Sequence, residues 1–411
     1  MRIIESSNRL AIDLLIDRRH EADPAIARQV ARIVTSVRRA GDTAVLRYAR
    51  RFDRLSSPVE VTAEEIRDGL RAIAPELRTA LRTAARHIRR VARRQVPRGW
   101  RTTVTPGVEI EQRVTPLDRV GCYVPAGRYP LPSSLLMTVI PARVAGVPEV
   151  IVVCPRPDAT ILAAAAIARP TRVFRLGGAQ AIAALAYGTT TIPKVDKIVG
   201  PGNRYVSAAK ALVASDCGID FYAGPTEIVI VSAHGPAAWI AADLIAQAEH
   251  DPDARAVLIT PSRTLAVRVA RDVEAQLPED GPAREALRAH GGIIVTSSTA
   301  KAMELANASA PEHLVVDDER LAAMVRCAGS VFVGPWSAQV AGDYAIGSNH
   351  VLPTAGAARA RGGLSAADFV RQITVQRVTQ AGLRRIGDTA MTLATAEGLH
   401  GHTASIRVRV K

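Results

Sequence analysis

Lysine, cysteine, aromatic side chains and long apolar runs are all scarce in this chain, and each scarcity removes a class of protein. Four cysteines in 411 residues, Cys122, Cys154, Cys217 and Cys327, lie far apart and form no CxxC pair. That argues against a disulfide framework and a thiolate zinc site, and it fits a reducing compartment. The longest apolar run, ILAAAAIA at 161–168, is far short of the ~20 residues a membrane span requires. The N-terminus, MRIIESSNRLAIDLLIDRR, scatters acidic and basic residues where a signal peptide would carry an apolar core. A cytoplasmic protein with no membrane partner is expected. Only five of the 53 basic residues are lysine, so the net charge of +14 resembles the arginine bias of a GC-rich coding sequence more than a selected polyanion surface. The densest basic run spaces Arg78, Arg82, Arg86, Arg89 and Arg93 along one helix side, with Leu77, Leu81, Ile88 and Val91 available for burial. With aromatics at 4% and no recognition motif, this reads as a solvated helix face, and no nucleic-acid partner is expected.

What is present is apolar and periodic. Hydrophobic residues make up 48% of a chain too long for one ordinary core, so two or more domains are expected. Up to about residue 118 the pattern is helical, ending in the alternating stretch VEIEQRV at 108–114, which predicts an exposed strand. Apolar runs VGCYVP, EVIVVC, RVFRLGG, DKIVG and IDFYAG then alternate with helical segments through residue 224. A second series follows: EIVIVSA, AVLIT, GIIVT, HLVV and SVFVG. Such alternation predicts parallel sheets covered on both faces, hence two doubly wound α/β domains. After about 366 the pattern predicts helices leading to a short, basic, strand-like end, SIRVRV. Such a tail must pack on its own domains or on a partner subunit. LGGAQA at 176–181 and VGPGNRY at 199–205 each follow a strand and open a helix, so their backbone N–H groups are candidates to face an anionic ligand. Neither is GxGxxG, and no acidic residue closes the next strand to hold a ribose.

Four clusters carry chemistry. In LIAQAEHDPDA, residues 244–254, Ile240, Leu244 and Ile245 keep helical spacing, and Pro252 stops the helix at Asp251. Gln247 and His250, three apart, share a helix face, which suits a metal ion; a His at a helix C-terminus meeting the last carbonyls is the plain alternative. Glu312 and His313 stand at the mouth of a buried strand, where an acid–base pair belongs. AGDYAIGSNHVLPT supplies Asp343 and His350, and EGLHGHTAS supplies Glu397, His400 and His402. Each alone is an ordinary capping or surface residue. Together, Gln, His, Asp and His make a mixed N/O donor set suited to zinc or a similar ion.

The ordered motifs GCYVPAGRYPLPSSLLMTVIPARVAGV, GGAQAIAALAYGT, KIVGPGNRYV, AGPTE, LIAQAEHDPDA, APEHL, GDYAIGSNHVLPT and AEGLHGH resemble the histidinol dehydrogenases over nearly the whole length. The resemblance implies a zinc- and NAD-dependent enzyme that oxidises L-histidinol through L-histidinal to L-histidine, working as an intertwined homodimer with shared sites. It implies Gln247, His250, Asp343 and His402 as metal ligands and Glu312 with His313 as the acid–base pair. Tyr123, Gln180 and Asn203 match NAD contacts. Thr226, His350 and Glu397 match substrate contacts, to which the metal ligands and the acid–base pair are added; His400 matches no ligand. In domains, it implies an arm at 1–24, a first α/β domain of 25–118 with 227–366 bearing the metal and acid–base residues, an incomplete Rossmann-like NAD domain at 119–226, and a dimerisation tail at 367–411. Two positions depart from the family: Ala338 and Gln339 replace a usual Pro-Glu pair, and PAGRYP stands where many members have two glycines. Relatives on the same scaffold oxidise other small alcohols, including sulfonated diols, but retention of Glu397 and the HGH tail favours a cationic, imidazole-bearing substrate. A basic nucleic-acid binder with a vestigial enzyme fold is the reading from another class, opposed by retention of the metal and acid–base sets.

Overall fold

A computed structural model describes residues 1–16, 23–125, 130–222 and 224–410; the PAGRYP departure falls largely on Ala126–Tyr129, outside them. Two parallel sheets organise the chain. The larger has six strands in the spatial order Arg2–Glu5, Gly291–Val295, Arg255–Thr260, Glu227–Val231, His313–Val316 and Ser330–Val333. The second has five, ordered Arg172–Phe174, Glu149–Val153, Arg119–Tyr123, Lys197–Val199 and Gly218–Ile219. Every pairing in both is parallel. The central strands are buried apolar runs, Glu227–Val231 throughout and Glu149–Val153 from its second residue, as expected when helices cover both faces. Starting from Glu227–Val231 or Arg119–Tyr123, each chain winds outward over two strands and then crosses back, so both sheets have a switch point beside their first strand.

The expected domain grouping differs from the observed packing. Ile26, Val30, Ile33 and Val37 of helix Pro24–Tyr48 share a core with Ala181–Leu185 and Phe174, while Leu81, Ala85 and Ile88 of helix Pro75–Gln95 pack with Leu135 and Ile140. Helices Pro24–Tyr48 and Pro75–Gln95 therefore cover the five-stranded sheet, not the six-stranded one. The cause lies in the crossover helices of that sheet: Ala159–Ala168 and Gly178–Tyr187 are apolar almost all round, and such helices require burial on both sides. The predicted arm also differs, for Arg2–Glu5 is an edge strand of the large sheet, and Ile12 and Leu15 enter its core.

The tail departs from expectation too. Val370–Val378 is a strand, antiparallel to Val108–Pro116, which also pairs with Trp100–Thr105. Cross-strand charges bind this small sheet, with Arg377 2.6 Å and Arg101 3.2 Å from Glu111. The SIRVRV segment is helical, part of His400–Val410, which packs against Gln380–Ala396. Its short alternation was ambiguous, and Arg407 and Arg409 in the last turn suit a helix C-terminus.

Candidate active site

Glu312 and His313 lie where strand His313–Val316 begins, at the amino end of the large sheet. Ligands on such sheets ordinarily gather at the carboxyl ends. The pair is locked to the neighbouring strand by one residue. The Glu227 carbonyl is 3.1 Å from His313 Nδ1, and because a carbonyl only accepts, Nδ1 carries the proton and Nε2 keeps its lone pair. The Glu227 N–H donates to Glu312 Oε2 at 2.8 Å, and the Glu227 side chain accepts the Glu312 N–H at 3.1 Å. His313 Nε2 faces Asp343 Oδ1 at 3.9 Å. Burial holds the His313 imidazole below its ordinary pKa, against the opposing pull of Asp343, so it is neutral near pH 7 and fit to take a proton. Burial pushes the Glu312 carboxyl up to about 7, although Thr226 and the Glu227 N–H favour its ionised form. That is the range a group needs to take and return a proton at neutral pH.

Behind Glu312 runs a short relay. Gln247 Nε2 donates to Thr226 Oγ1 at 2.5 Å, and Thr226 Oγ1 donates to Glu312 Oε2 at 2.6 Å. Gln247 is 0% exposed, and its Oε1 has no hydrogen-bond partner. Three buried side-chain oxygens or nitrogens among the described residues lack partners, and two of them, Gln247 Oε1 and Gln339 Oε1, belong to this cluster. Unmet buried acceptors cost stability, so a site holding two is shaped for a cation or a donor. The helix bearing Gln247 ends at Ala248, two residues before His250. His250 Nδ1 donates to the Ala246 carbonyl at 3.2 Å, leaving Nε2 as a lone-pair donor, the orientation that ligating histidines use. Asp343, buried on helix Gln339–Tyr344, accepts from Gln339 Nε2 at 2.9 Å. The departure at Gln339 thus replaces a carboxylate by an amide that steadies Asp343. His350 Nδ1 donates to the Asp343 carbonyl at 3.1 Å, and its Nε2 faces Ser134 Oγ at 3.3 Å. Asn349 Nδ2 donates to the Met137 carbonyl, and His87 Nδ1 to that of Ala345. These contacts seat the 343–350 loop on helices of the five-stranded sheet, so the cluster lies between the two sheets.

The structure therefore brings together Thr226, Gln247, His250, Glu312, His313, Asp343 and His350. Glu397 and His402 stand apart: both are exposed on the tail, and no side-chain hydrogen bond or ion pair joins them to the cluster among the described residues. No three His, Cys, Asp or Glu side chains gather as a metal group among those residues, as a donor set that includes an amide and a remote histidine would give. Sequence reasoning missed Glu227, Ser134 and the amide of Gln339. Only Glu227, next to Thr226 and opening an apolar run, carried any signal.

Tyr123, Gln180 and Asn203 lie at the carboxyl ends of the five-stranded sheet, around its switch point. Each is already engaged. Tyr123 Oη accepts the Gly178 N–H at 3.2 Å, Gln180 Nε2 donates to Asp53 Oδ2 at 3.0 Å, and Asn203 Oδ1 caps helix Arg204–Val213 through Tyr205 and Val206. The glycine-turn amides expected to face an anion are likewise held in part by side chains, Gly177 N–H by Asp53 and Gly200 N–H by Asp220. Lys210 completes a buried ion pair with Asp220 at 2.5 Å. Gly200 has φ +113°, and a Cβ there would lie 2.1 Å from the Tyr123 carbonyl oxygen, so this turn accepts only glycine.

Comparison with known proteins adds to this geometry. The sequence model of a family described as histidinol dehydrogenase matches residues 16–410. The histidinol dehydrogenase of Methanothermobacter thermautotrophicus is 44% identical, covering 100% of this chain and 99% of its own length, and that of Geobacter metallireducens is 43% identical, covering 97% and 94%. The crystal structure of histidinol dehydrogenase from Elizabethkingia anophelis superposes with a TM-score of 0.94 at 33% identity, covering 100% of this chain and 98% of that one.

Proposed function

The chain belongs to the histidinol dehydrogenase family, and from that premise we propose that the cluster at the amino ends of the large sheet is its catalytic centre. Histidinol dehydrogenases oxidise L-histidinol through L-histidinal to L-histidine with NAD and require Zn2+, and this chain is such an oxidoreductase. The observation that carries the assignment of the centre is the buried, unpartnered Gln247 Oε1, close to a relay that ends on Glu312.

Gln247 Oε1, His250 Nε2 and Asp343 are the donors one subunit offers to the metal, and His402 of a second copy is the fourth. Zn2+ held by those donors would supply a positive charge that orients the substrate. The chain's own groups move the protons. His313 Nε2 would accept the hydroxyl proton of the alcohol, whose hydride bound NAD would take up; the bond from Nδ1 to the Glu227 carbonyl holds the imidazole in the accepting tautomer and would steady the imidazolium that forms. Oxidation of the aldehyde requires its hydrate. Glu312, held by Thr226 and Glu227, takes a proton from the attacking water, and a second hydride transfer yields the acid. His350 and Ser134 line the same space. Tyr123, Gln180 and Asn203, at the carboxyl ends of the five-stranded sheet, are the residues that would hold NAD. The working unit in this reading is a homodimer. It is supported by the exposure of Glu397 and His402, by exposed Leu393, Leu399 and Val408 on the tail, and by exposed Trp336, Tyr344 and Ile346 around Asp343. No described helix is long and apolar enough to cross a membrane, and we place the enzyme in the cytoplasm with other amino-acid biosynthesis. The test is Glu312→Gln assayed on supplied histidinal and on histidinol: aldehyde oxidation is expected to fall more than alcohol oxidation. An unchanged aldehyde step would remove Glu312 from water activation.

A further inference from the structure

A dinucleotide lying on a doubly wound sheet places its adenosine over the strands wound outward from the first, where a carboxylate commonly meets the ribose. The acidic residue that follows the outward strand Glu149–Val153, Asp158, is spent capping helix Ala159–Ala168, and Asp53 stands at the same end of the sheet. It closes the turn Ala49–Asp53, and its Oδ2 accepts the Gly177 N–H and Gln180 Nε2, both at 3.0 Å. Gly177 follows strand Arg172–Phe174, and a Cβ on it would meet Pro155, just beyond Glu149–Val153, and Asp53 Oδ1 at 2.9 Å. The carboxylate therefore sits at the ends of the two outward strands, bonded to Gln180 and near Tyr123, whose phenol it influences electrostatically.

Three features distinguish Asp53 from a simple tether. Both hydrogen bonds fall on Oδ2, so Oδ1 retains acceptor capacity in a side chain that is 7% exposed. No ion pair neutralises it among the described residues; Arg156, an exposed side chain beyond strand Glu149–Val153, acts on it only as a through-space charge. Finally, Arg54, the next residue, has φ 56°, a left-handed conformation that costs a non-glycine residue on the order of 1 kcal/mol. The chain tolerates that cost where it turns after presenting the carboxylate.

Resting on the reading that NAD lies across this sheet, we infer that Asp53 reads the adenosine ribose, accepting a hydrogen bond from its 2′-hydroxyl at Oδ1 and disfavouring a 2′-phosphate. The chain borrows from its N-terminal region the carboxylate that its strand series spends on a helix cap.

The test compares dissociation constants of NADH, its 2′-deoxyadenosine analogue and NADPH by fluorescence titration of the intact dimer, alongside kcat/KM with the oxidised cofactors. A hydrogen bond to a charged group predicts that wild-type protein binds the deoxy analogue roughly 10- to 100-fold more weakly than NADH. In Asp53→Asn that difference is expected to shrink below about threefold, because the charged acceptor is gone, and NADPH is expected to gain on NADH. Wild-type protein that binds NADH and the deoxy analogue alike overturns the inference, with no variant needed. An Asp53→Asn protein that retains the full discrimination overturns it as well. Should Asp53→Asn not fold, Asp53→Glu, which moves the carboxylate by one methylene, is judged by the same loss of discrimination. Asn203→Ala separates the two levels: an unchanged Kd for NADH removes the dinucleotide from this sheet altogether, whereas a weakened Kd without ribose discrimination removes only the role of Asp53.

Discussion

Apart from the added edge strand Arg2–Glu5 of the larger, the two parallel sheets share a strand order, and their candidate site residues stand at opposite ends. In the five-stranded sheet the candidate cofactor residues gather at the carboxyl ends, beside the switch point. In the six-stranded sheet that end is filled by the chain itself: Asp317 Oδ2 accepts the Ala233 N–H at 2.7 Å, Ser232 Oγ accepts the Gly235 N–H at 2.9 Å, and His234 Nδ1 stands 3.7 Å from the same Asp317 oxygen. Its candidate acid–base and metal residues lie at the amino ends, where the end of helix Ala237–Ala248 and the 343–350 loop converge on Glu312 and His313. Topology offers each sheet a crevice. Which end becomes a site depends on the segments from elsewhere that reach it.

The sharpest way to break this contrast is His313→Asn. Loss of the base at the amino end is expected to lower kcat for histidinol by about 100- to 10,000-fold, read as NADH formation, while Kd for NADH on the other sheet stays within about twofold of wild type. A large change in NADH affinity would mean that the two ends are not separate sites. The next effect comes from pairing lesions across subunits. His250→Ala and His402→Asn chains are each expected to be inactive alone, and co-refolding equal amounts should restore roughly a quarter of wild-type activity, because half the dimers are mixed and each holds one intact site. Confirmed mixed dimers with no activity would place His402 in its own subunit's site.

Two smaller effects sharpen the contrast further. Asp317→Ala removes a charged acceptor at the filled end and is expected to cost about 1–3 kcal/mol in urea unfolding, with kcat and KM unchanged; a fall in kcat would show that the carboxyl end takes part in catalysis. Glu312 gives the pH-dependent counterpart. Its carboxyl titrates at about 7 in the folded, metal-free protein and near 4.5 when unconstrained, so the folded state holds the proton longer. The stability lent by the protonated form is complete below pH 4.5 and is lost as pH rises through about 7. In chelator-treated protein, Glu312→Gln should flatten that decline and be more stable than wild type above pH 7, by on the order of 1–3 kcal/mol. An equally steep decline in both proteins would sink the burial argument.

The strands were legible in the sequence because apolar runs such as EIVIV and EVIVV, bounded by glycine or proline, have few other uses. The cluster was legible as well, since Gln247, His250, Glu312, His313, Asp343 and His350 stand in short polar interruptions of apolar segments. Other features depended on distance. Nothing in AIARQVARIV says that it covers Ala181–Leu185 rather than the large sheet; that follows only once the alanine-rich helices are seen to need a second layer. Val370–Val378 alternates too irregularly to separate from a helix until Val108–Pro116 pairs with it. Asp53 lies 124 residues from the Gly177 amide it holds, and no local pattern joins them. Two of the amides expected to face an anion are held by acceptors from other segments for a related reason, Gly177 by Asp53 and Gly200 by Asp220.

The bonds from Glu227 to Glu312 and His313 have a consequence for motion. Strand His313–Val316 lies inside the large sheet between Glu227–Val231 and Ser330–Val333, so His313 and its neighbour Glu312 are tied to the ladder itself. In such a place amide protons exchange with solvent only through near-global opening. The acid–base pair accordingly has no slow hinge of its own. If the proposed centre is right, movement that admits substrate and releases product is left to the 343–350 loop and to the tail proposed to come from a second copy, and those segments, rather than the proton transfers, are where turnover has room to be limited.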